Sequence, residues 1–265
     1  MDWKSNSHNL LNLQGRTVFL TGAAGHIGRA MTDAFHAVGA KVLEVDREGS
    51  FDEAKEADPE MGSRFVCDLE NEAERKELLK KITDSYESID VMINNAAFVG
   101  LSGLKGWVTD FEEQSVETWR RAIEVNLTAA FELIQGLTPL LRETGRGSVV
   151  NIGSIYGFLA PNMKLYEGTP LGNPVAYAAS KGGLTQMSRW MAGVLAPEIR
   201  VNVVSPGGIY RGQPDKFVER YEAANPMGRM GTEQDMIGAV VFLASDMSLY
   251  VTGQNLAVDG GWSVW

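Results

Sequence analysis

The stretch RTVFLTGAAGHIGRAMTDAFHAVGAKVLEVD, Arg16 to Asp46, decides how the chain is read. Arg16–Thr21 is a short apolar run with β-branched residues, the pattern of a buried strand. Glycines follow at 22, 25 and 28, and a helical pattern then runs to about Val38. Gly39 stands just past it, where helices commonly end. Lys41–Val45 is a second strand with Asp46 at its tip. A glycine turn between strand and helix, with an acid ending the next strand, is the arrangement that binds a dinucleotide. The glycines let the backbone approach a pyrophosphate, which rests on the helix N-terminus. Asp46 would accept hydrogen bonds from the adenosine ribose and repel a 2′-phosphate. NAD is therefore expected over NADP, with the neighbouring Arg47 acting against that preference.

The same alternation continues outward. Further strands are expected at Arg64–Cys67, Asp90–Ile93, Ser148–Ile152, Arg200–Val204 and Asn255–Val258. Helical patterns fall at Phe51–Ala57, Glu72–Tyr86, Ser115–Glu124, Val125–Leu141, through Tyr177 to Leu195, and from Thr232 to Leu243. Strands alternating with helices give a doubly wound parallel sheet, an α/β fold covered on both faces. Residues 1–14 read as a flexible tail and 15–265 as one dinucleotide-binding and catalytic domain. Asp68, with Leu69 beside it, either bonds the adenine amino group or caps the next helix. Asn95, Ala96 and Ala97 let a cofactor lie against the backbone. Residues 98–114 form a long loop. Asn126 interrupts an apolar helical face, either as a satisfied core group or as part of a proton path.

Composition narrows the class. A net charge of −10 argues against a nucleic-acid partner, which demands a basic footprint. No apolar run approaches membrane-spanning length, and the N-terminus lacks the apolar region of a secretory signal. The single cysteine, Cys67, excludes an intrachain disulfide and reads as a packing residue. These features point to a cytoplasmic protein, and no metal site is expected.

Chemistry is expected from Ser154, Tyr177 and Lys181. Ser154 follows the fifth strand, at the sheet edge where open α/β folds bind ligands. Tyr177 and Lys181 stand four residues apart, on one face of a helix. A phenol beside an ammonium is a proton-transfer device. The cation favours the phenolate and is expected to bring Tyr177 below its free value of about 10.

Several marks now stand in order: the turn at Gly22–Gly28, Asn94-Asn95-Ala96, Asn126, Ser154, the Tyr177–Lys181 pair, Pro206-Gly207 and Val258-Asp259-Gly260-Gly261. Together they resemble the short-chain dehydrogenase/reductase family, from about Arg16 to the C-terminus. The resemblance implies a seven-stranded Rossmann sheet, NAD(P)-dependent hydride transfer with a small-molecule substrate, and a homotetramer or homodimer. It implies Tyr177 as the acid/base, Lys181 lowering its pKa and holding the nicotinamide ribose, and Ser154 on the substrate oxygen. Asn126 would order a relay water, and Pro206, Gly207 and Ile209 would meet the carboxamide. Gly22, Gly25, His26, Ile27 and Gly28 would hold the pyrophosphate.

The chain departs from the family pattern in three places. His26 occupies the usual position of the second glycine. Tyr210-Arg211 stand where a carboxamide-binding threonine is common. The gap from Ser154 to Tyr177 is longer than usual, with extra residues near Asn162–Asn173. That insertion is similar to a narrower group acting in bacterial surface-polysaccharide and flagellin-glycan pathways. Tyr156, Lys164, Tyr166, Glu167, Asn173 and Arg211 are thus expected to form a polar rim for a sugar, sugar phosphate or nucleotide sugar. A 3-oxoacyl, steroid or simple alcohol substrate is the alternative. A third possibility is an NAD-binding module without catalysis, against which the intact Ser154–Tyr177–Lys181 set argues.

Overall fold

Seven short apolar segments cannot pair in parallel without a crossover between each pair of neighbours, and here most crossovers are helices. The computed structural model describes residues 11, 13–51, 60–99 and 104–264. Its strands are β1 (Thr17–Thr21), β2 (Lys41–Asp46), β3 (Gly62–Val66), β4 (Val91–Asn94), β5 (Gly147–Ile152), β6 (Ile199–Pro206) and β7 (Asn255–Val258). They form one parallel sheet in the order β3-β2-β1-β4-β5-β6-β7. The helices are α1 (His26–Ala37), α2 (Glu72–Ser85), α3 (Val116–Ile123), α4 (Ala129–Glu143), α5 (Val175–Leu195), α6 (Asp215–Ala224) and α7 (Glu233–Ala244).

Alternate strand residues face opposite sides, so each face of the sheet has its own core. On one face Leu78 of α2, Leu133 and Leu137 of α4 and Met191 of α5 pack on Met92, Val149 and Val201. On the other, Met31 and Phe35 of α1 and Val240 and Leu243 of α7 pack on Val18, Leu20, Val42 and Val204. The central strands β5 and β6 are buried along their whole length, which explains their continuous apolar reading. The chain reverses its direction of growth between β1 and β4. That switch point opens a crevice at the carboxyl ends of the strands.

Some boundaries differ from the sequence expectation. The packed body reaches back into the expected tail: Leu13 is fully buried, and its N–H donates to Val38 O at 3.0 Å. Most of the helix expected at Phe51–Ala57 and part of the 98–114 loop lie outside the described residues. The helices expected to meet between Glu124 and Val125 are one unbroken run, because a π turn at Glu124–Thr128 joins α3 to α4. Arg75 of α2 anchors that turn, donating to Glu124 at 2.6 Å and Glu132 at 2.5 Å from a buried position. Among the described residues no helix is long and apolar enough to cross a membrane.

The glycine turn is held by contact rather than by preference alone. Gly22 has φ +66°, and a Cβ on Gly28 would fall 2.0 Å from the Gly22 carbonyl oxygen. Gly28→Ala is expected to cost about 1–3 kcal/mol through this overlap. The matching fall in melting temperature is about 2–4 °C per kcal/mol. A melt within one degree of the parent would show that α1 can move away from the turn freely.

Candidate active site

The crevice is a cavity of about 1180 Å3 along the carboxyl edge of the sheet. Every residue that the sequence assigned to nucleotide binding lines it, from Gly22, Gly25, His26, Ile27 and Gly28 through Asp46, Arg47, Asp68 and Leu69 to Asn95, Ala96, Ala97, Pro206, Gly207 and Ile209. The turn at its centre is braced from β4. Asn95 Nδ2 donates to the carbonyls of Thr21 (3.1 Å) and Gly22 (3.0 Å), and Thr21 Oγ1 accepts from the N–H groups of Asn95 and Ala96. No side chain caps the start of α1. Its opening N–H groups are left for a ligand, beside the cavity-lining Gly25–Gly28.

The acids at the strand ends have separate tasks. Asp46 accepts from the Ala24 N–H at 2.9 Å and the Arg47 N–H at 2.8 Å, which ties β2 to the glycine turn and leaves lone pairs toward the cavity. Asp68 is not the cap of α2. Asn71 takes that place, its Oδ1 accepting from Ala73 and Glu74 N–H. Asp68 instead accepts from Glu70 N–H at 2.9 Å and lines the cavity. Cys67 is buried, and burial pushes its thiol up to about 12, an inert packing residue.

At the other end of the cavity β5 and α5 bring three groups together. Ser154 caps a short 3-10 turn, its Oγ accepting from Tyr156 N–H at 3.2 Å. The Ser154 hydroxyl also stands near enough to the Tyr177 hydroxyl to favour its phenolate. Lys181, one turn further along α5, is 2% exposed and donates from Nζ to Ile152 O at 2.8 Å. The electrostatics differ from the sequence expectation. Burial raises Tyr177 above its ordinary value, and the nearby Ser154 hydroxyl and Arg211 pull it down. Burial also lowers Lys181 to about 8. The ammonium lies 5.9 Å from the Tyr177 ring centroid and is spent on a carbonyl, so in the ligand-free protein desolvation outweighs the expected attraction.

Asn126 sits in the π turn, 2% exposed. Its Oδ1 accepts from Phe98 N–H at 2.6 Å, and its Nδ2 donates to Phe98 O at 3.2 Å and Ser180 Oγ at 2.9 Å. The side chain is therefore a satisfied strut between the Phe98 loop and α5. The extra residue of the π turn is what aims it there.

A smaller cavity of about 240 Å3 opens on Ser154 and Tyr177. Of the expected rim, Tyr156 and Tyr166 line it, and their hydroxyls meet at 2.7 Å. Lys164 and Glu167 do not line either cavity described here; both are exposed. They are corrected to outward-facing positions because Leu165 and Tyr166 turn inward onto Phe217 and Tyr221. Arg211 lines the larger cavity but is paired with Glu233 at 3.3 Å. Sequence reading missed Tyr221, whose hydroxyl accepts from Gly208 N–H at 2.7 Å and fixes the turn after β6. Asn173 of the expected rim also lines the smaller cavity; Gln213, which lines it too, was missed, and its signal was its place just after the glycine-rich exit of β6.

A family model described as enoyl-(acyl carrier protein) reductase matches residues 22–263. The 3-oxoacyl-[acyl-carrier-protein] reductase of Thermotoga maritima is 32% identical over 262 residues, 95% of this chain and 99% of its own length. Galactitol 2-dehydrogenase (L-tagatose-forming) of Cereibacter sphaeroides is 30% identical over 275 residues, covering 100% of both chains. A short-chain dehydrogenase of Leptospira borgpetersenii, solved with bound NAD+, superposes with a TM-score of 0.83 at 34% identity, over 94% of this chain and 93% of its own. Another solved relative, from Beutenbergia cavernae, carries NADP. With its seven-stranded parallel sheet and this match along nearly its whole length, the chain belongs to the short-chain dehydrogenase/reductase family of oxidoreductases acting on CH–OH groups.

Proposed function

We propose that the protein is an NAD-dependent dehydrogenase/reductase of a small polar substrate of carbohydrate type, interconverting a secondary alcohol and a ketone. The observation that carries this reading is the convergence of Ser154, Tyr177 and Lys181 where a dinucleotide-sized cavity meets a smaller one that Tyr156, Tyr166 and Asn173 help to line. The nucleotide fits: an uncapped helix start, glycines at the turn and acids at two strand ends follow one another along the larger cavity. Asp46 and Asp68 would hold the adenosine end, and Tyr177, Lys181 and the Pro206–Ile209 turn the nicotinamide end. Nicotinamide, when bound, supplies or accepts the hydride.

Tyr177 handles the proton. In oxidation the substrate C–H gives up a hydride and its O–H proton passes to Tyr177 Oη; in reduction the phenol donates that proton to the carbonyl oxygen. Ser154, beside Tyr177, would orient the same substrate oxygen. Lys181, held near pH 8 by burial, changes charge close to neutral pH, and its protonated form favours the phenolate. NAD over NADP is supported by Asp46, whose carboxylate would face a 2′-phosphate. A 3-oxoacyl reductase is the second reading, favoured by the Thermotoga maritima relative. Exposed Trp119, Phe131, Trp190 and Val194 on α3, α4 and α5 support association of copies through these helices.

Tyr177→Phe is expected to lower kcat by about 10²–10⁴-fold while NAD still raises the melting temperature as in the parent. Retained turnover would remove Tyr177 from the proton step, and a larger thermal shift with NADP than with NAD would overturn the reading of Asp46. A second test uses pH. Lys181 binds its proton less tightly in the folded chain, at about 8, than at its ordinary 10.5. Between those values the unfolded chain holds the extra proton, so the contribution of Lys181 to stability is lowest below pH 8 and rises as pH climbs toward 10.5. The melting temperature of the cofactor-free protein minus that of Lys181→Met is expected to increase from pH 7 to 9.5. A flat difference would mean that Lys181 is not desolvated.

A further inference from the structure

Among the described residues that line the larger cavity, four carry a positive group, and three of these have a place already. Arg121 makes a two-pronged bond to Glu70, at 2.7 and 3.0 Å. Lys181 is buried and donates to Ile152 O. Arg47 follows Asp46 at the tip of β2, the end proposed for the adenosine. Arg211 is the fourth, on the segment that leaves β6, two positions past Ile209. Its Nε donates to Glu233 at 3.3 Å. Its Nη1 and Nη2 have no hydrogen-bond partner among the described residues, and the side chain is 40% exposed. That terminal pair of a guanidinium is a flat fork suited to phosphate or carboxylate oxygens.

The root of the side chain is held. The Arg211 N–H donates to Gln213 Oε1 at 2.7 Å, Gln213 Nε2 donates to Ile209 O at 2.8 Å, and the Tyr210 N–H donates to Gly231 O at 2.9 Å. Glu233 lies in the first turn of α7 and steadies the arm through Nε, which leaves the fork open. The Arg211 charge also lowers the Tyr177 phenol, which puts the cation within electrostatic reach of the proton-transfer end of the cavity. Arg211 does not line the smaller cavity, although Gln213 does, so the occupant it meets is that of the larger one. A dinucleotide carries its negative charge on a diphosphate, two charges in all. The uncapped start of α1 supplies only about half a positive charge toward them.

We infer that Arg211 is a cofactor-binding residue whose open guanidinium nitrogens take the diphosphate of the dinucleotide from the β6 side of the cavity, with Glu233 orienting the arm. This inference rests on the proposed binding of a dinucleotide in the larger cavity. It moves Arg211 from the substrate rim, where the sequence suggested it, to the cofactor.

The test is direct binding of NAD, ADP-ribose and AMP to the full chain, measured by titration calorimetry without substrate. ADP-ribose keeps the diphosphate and lacks the nicotinamide; AMP keeps the adenosine and a single phosphate. Arg211→Met is expected to raise the Kd of NAD and of ADP-ribose alike by about tenfold, the scale of one hydrogen bond between charged groups, and that of AMP by less than about twofold. Arg211→Lys keeps the charge without the fork and is expected to fall between the parent and Arg211→Met. The gap between parent and Arg211→Met is expected to narrow as salt is raised from about 0.05 to 0.5 M, because a part-exposed charge is screened. An unchanged melting temperature without ligand identifies folded variants, and Arg211→Lys carries the test if Arg211→Met fails to fold. Equal losses for AMP and ADP-ribose give Arg211 a purely structural role and overturn the inference. A loss confined to NAD puts Arg211 on the carboxamide and overturns it as well. Unchanged binding of all three overturns it and leaves Arg211 to an anionic substrate. Each of these three results leaves the dehydrogenase reading intact. A parent protein that binds neither NAD, NADP nor ADP-ribose overturns both.

Discussion

One hydrogen bond, from the Lys181 ammonium to the carbonyl of Ile152, joins the helix that carries the phenol to the strand that carries the serine. Ser154 and Tyr177 belong to different elements, and their separation is set by how closely α5 lies on the end of β5. The approach is tight. A Cβ on Gly157 would stand 2.8 Å from Lys181 O, so the turn after β5 packs on the backbone of α5 itself. Two further polar ties run alongside: Asn151 Nδ2 to Ser188 Oγ at 2.8 Å, and Asn126 Nδ2 to Ser180 Oγ at 2.9 Å. All three connect α5 to what it covers through buried side chains. In that environment an unmade bond costs more than a made one contributes, so the docking geometry has little freedom to drift.

The same burial sets the charge state of the site. A phenol raised and an ammonium lowered are both driven toward their neutral forms. In the ligand-free site the phenol is thus neutral, while Lys181, at about 8, still keeps its proton around neutral pH. Sequence spacing alone suggested the reverse. An i,i+4 pair places two side chains on one face, but it does not say which atoms meet. Here Nζ approaches the Tyr177 ring and bonds a carbonyl, and the neighbour that favours the phenolate most is Ser154.

The sheet and its nucleotide edge were legible because they obey strong local rules. Buried strands need unbroken apolar runs, and Gly22 and Gly28 sit where a side chain would strike backbone. Asp68 shows where such rules end. Asp68 and Asn71 are both good helix caps, three positions apart, and only packing decides that Asn71 takes the cap and Asp68 is left on the cavity. Asn126 was visible as a polar interruption, yet the π turn that aims it depends on tertiary contacts such as Arg75 with Glu124. The insertion was hardest to read. It has no period, so nothing in Lys164-Leu165-Tyr166-Glu167 separates the inward tyrosine from the outward charges.

What orients that insertion lies more than fifty positions further on. Arg220 of α6 donates from Nη1 to the carbonyls of Lys164, Leu165 and Glu167, at 3.2, 3.2 and 2.6 Å. One guanidinium thus gathers a turn that has little regular secondary structure of its own. Beneath it, Leu165, Phe217, Tyr221 and Met230 form a separate small core, with Tyr221 stacked on Trp262 at 4.5 Å. Tyr221 then reaches the turn after β6 through Gly208. The wall that faces Ser154 and Tyr177 is consequently one cooperative unit made from the insertion, α6 and the closing segment. It packs apart from the two cores of the sheet and is tied to the site through Tyr166 with Tyr156 and through Tyr221 with Gly208. On the proposed reading, β5 and α5 would fix the chemistry of the site, and this unit would shape the space beside it.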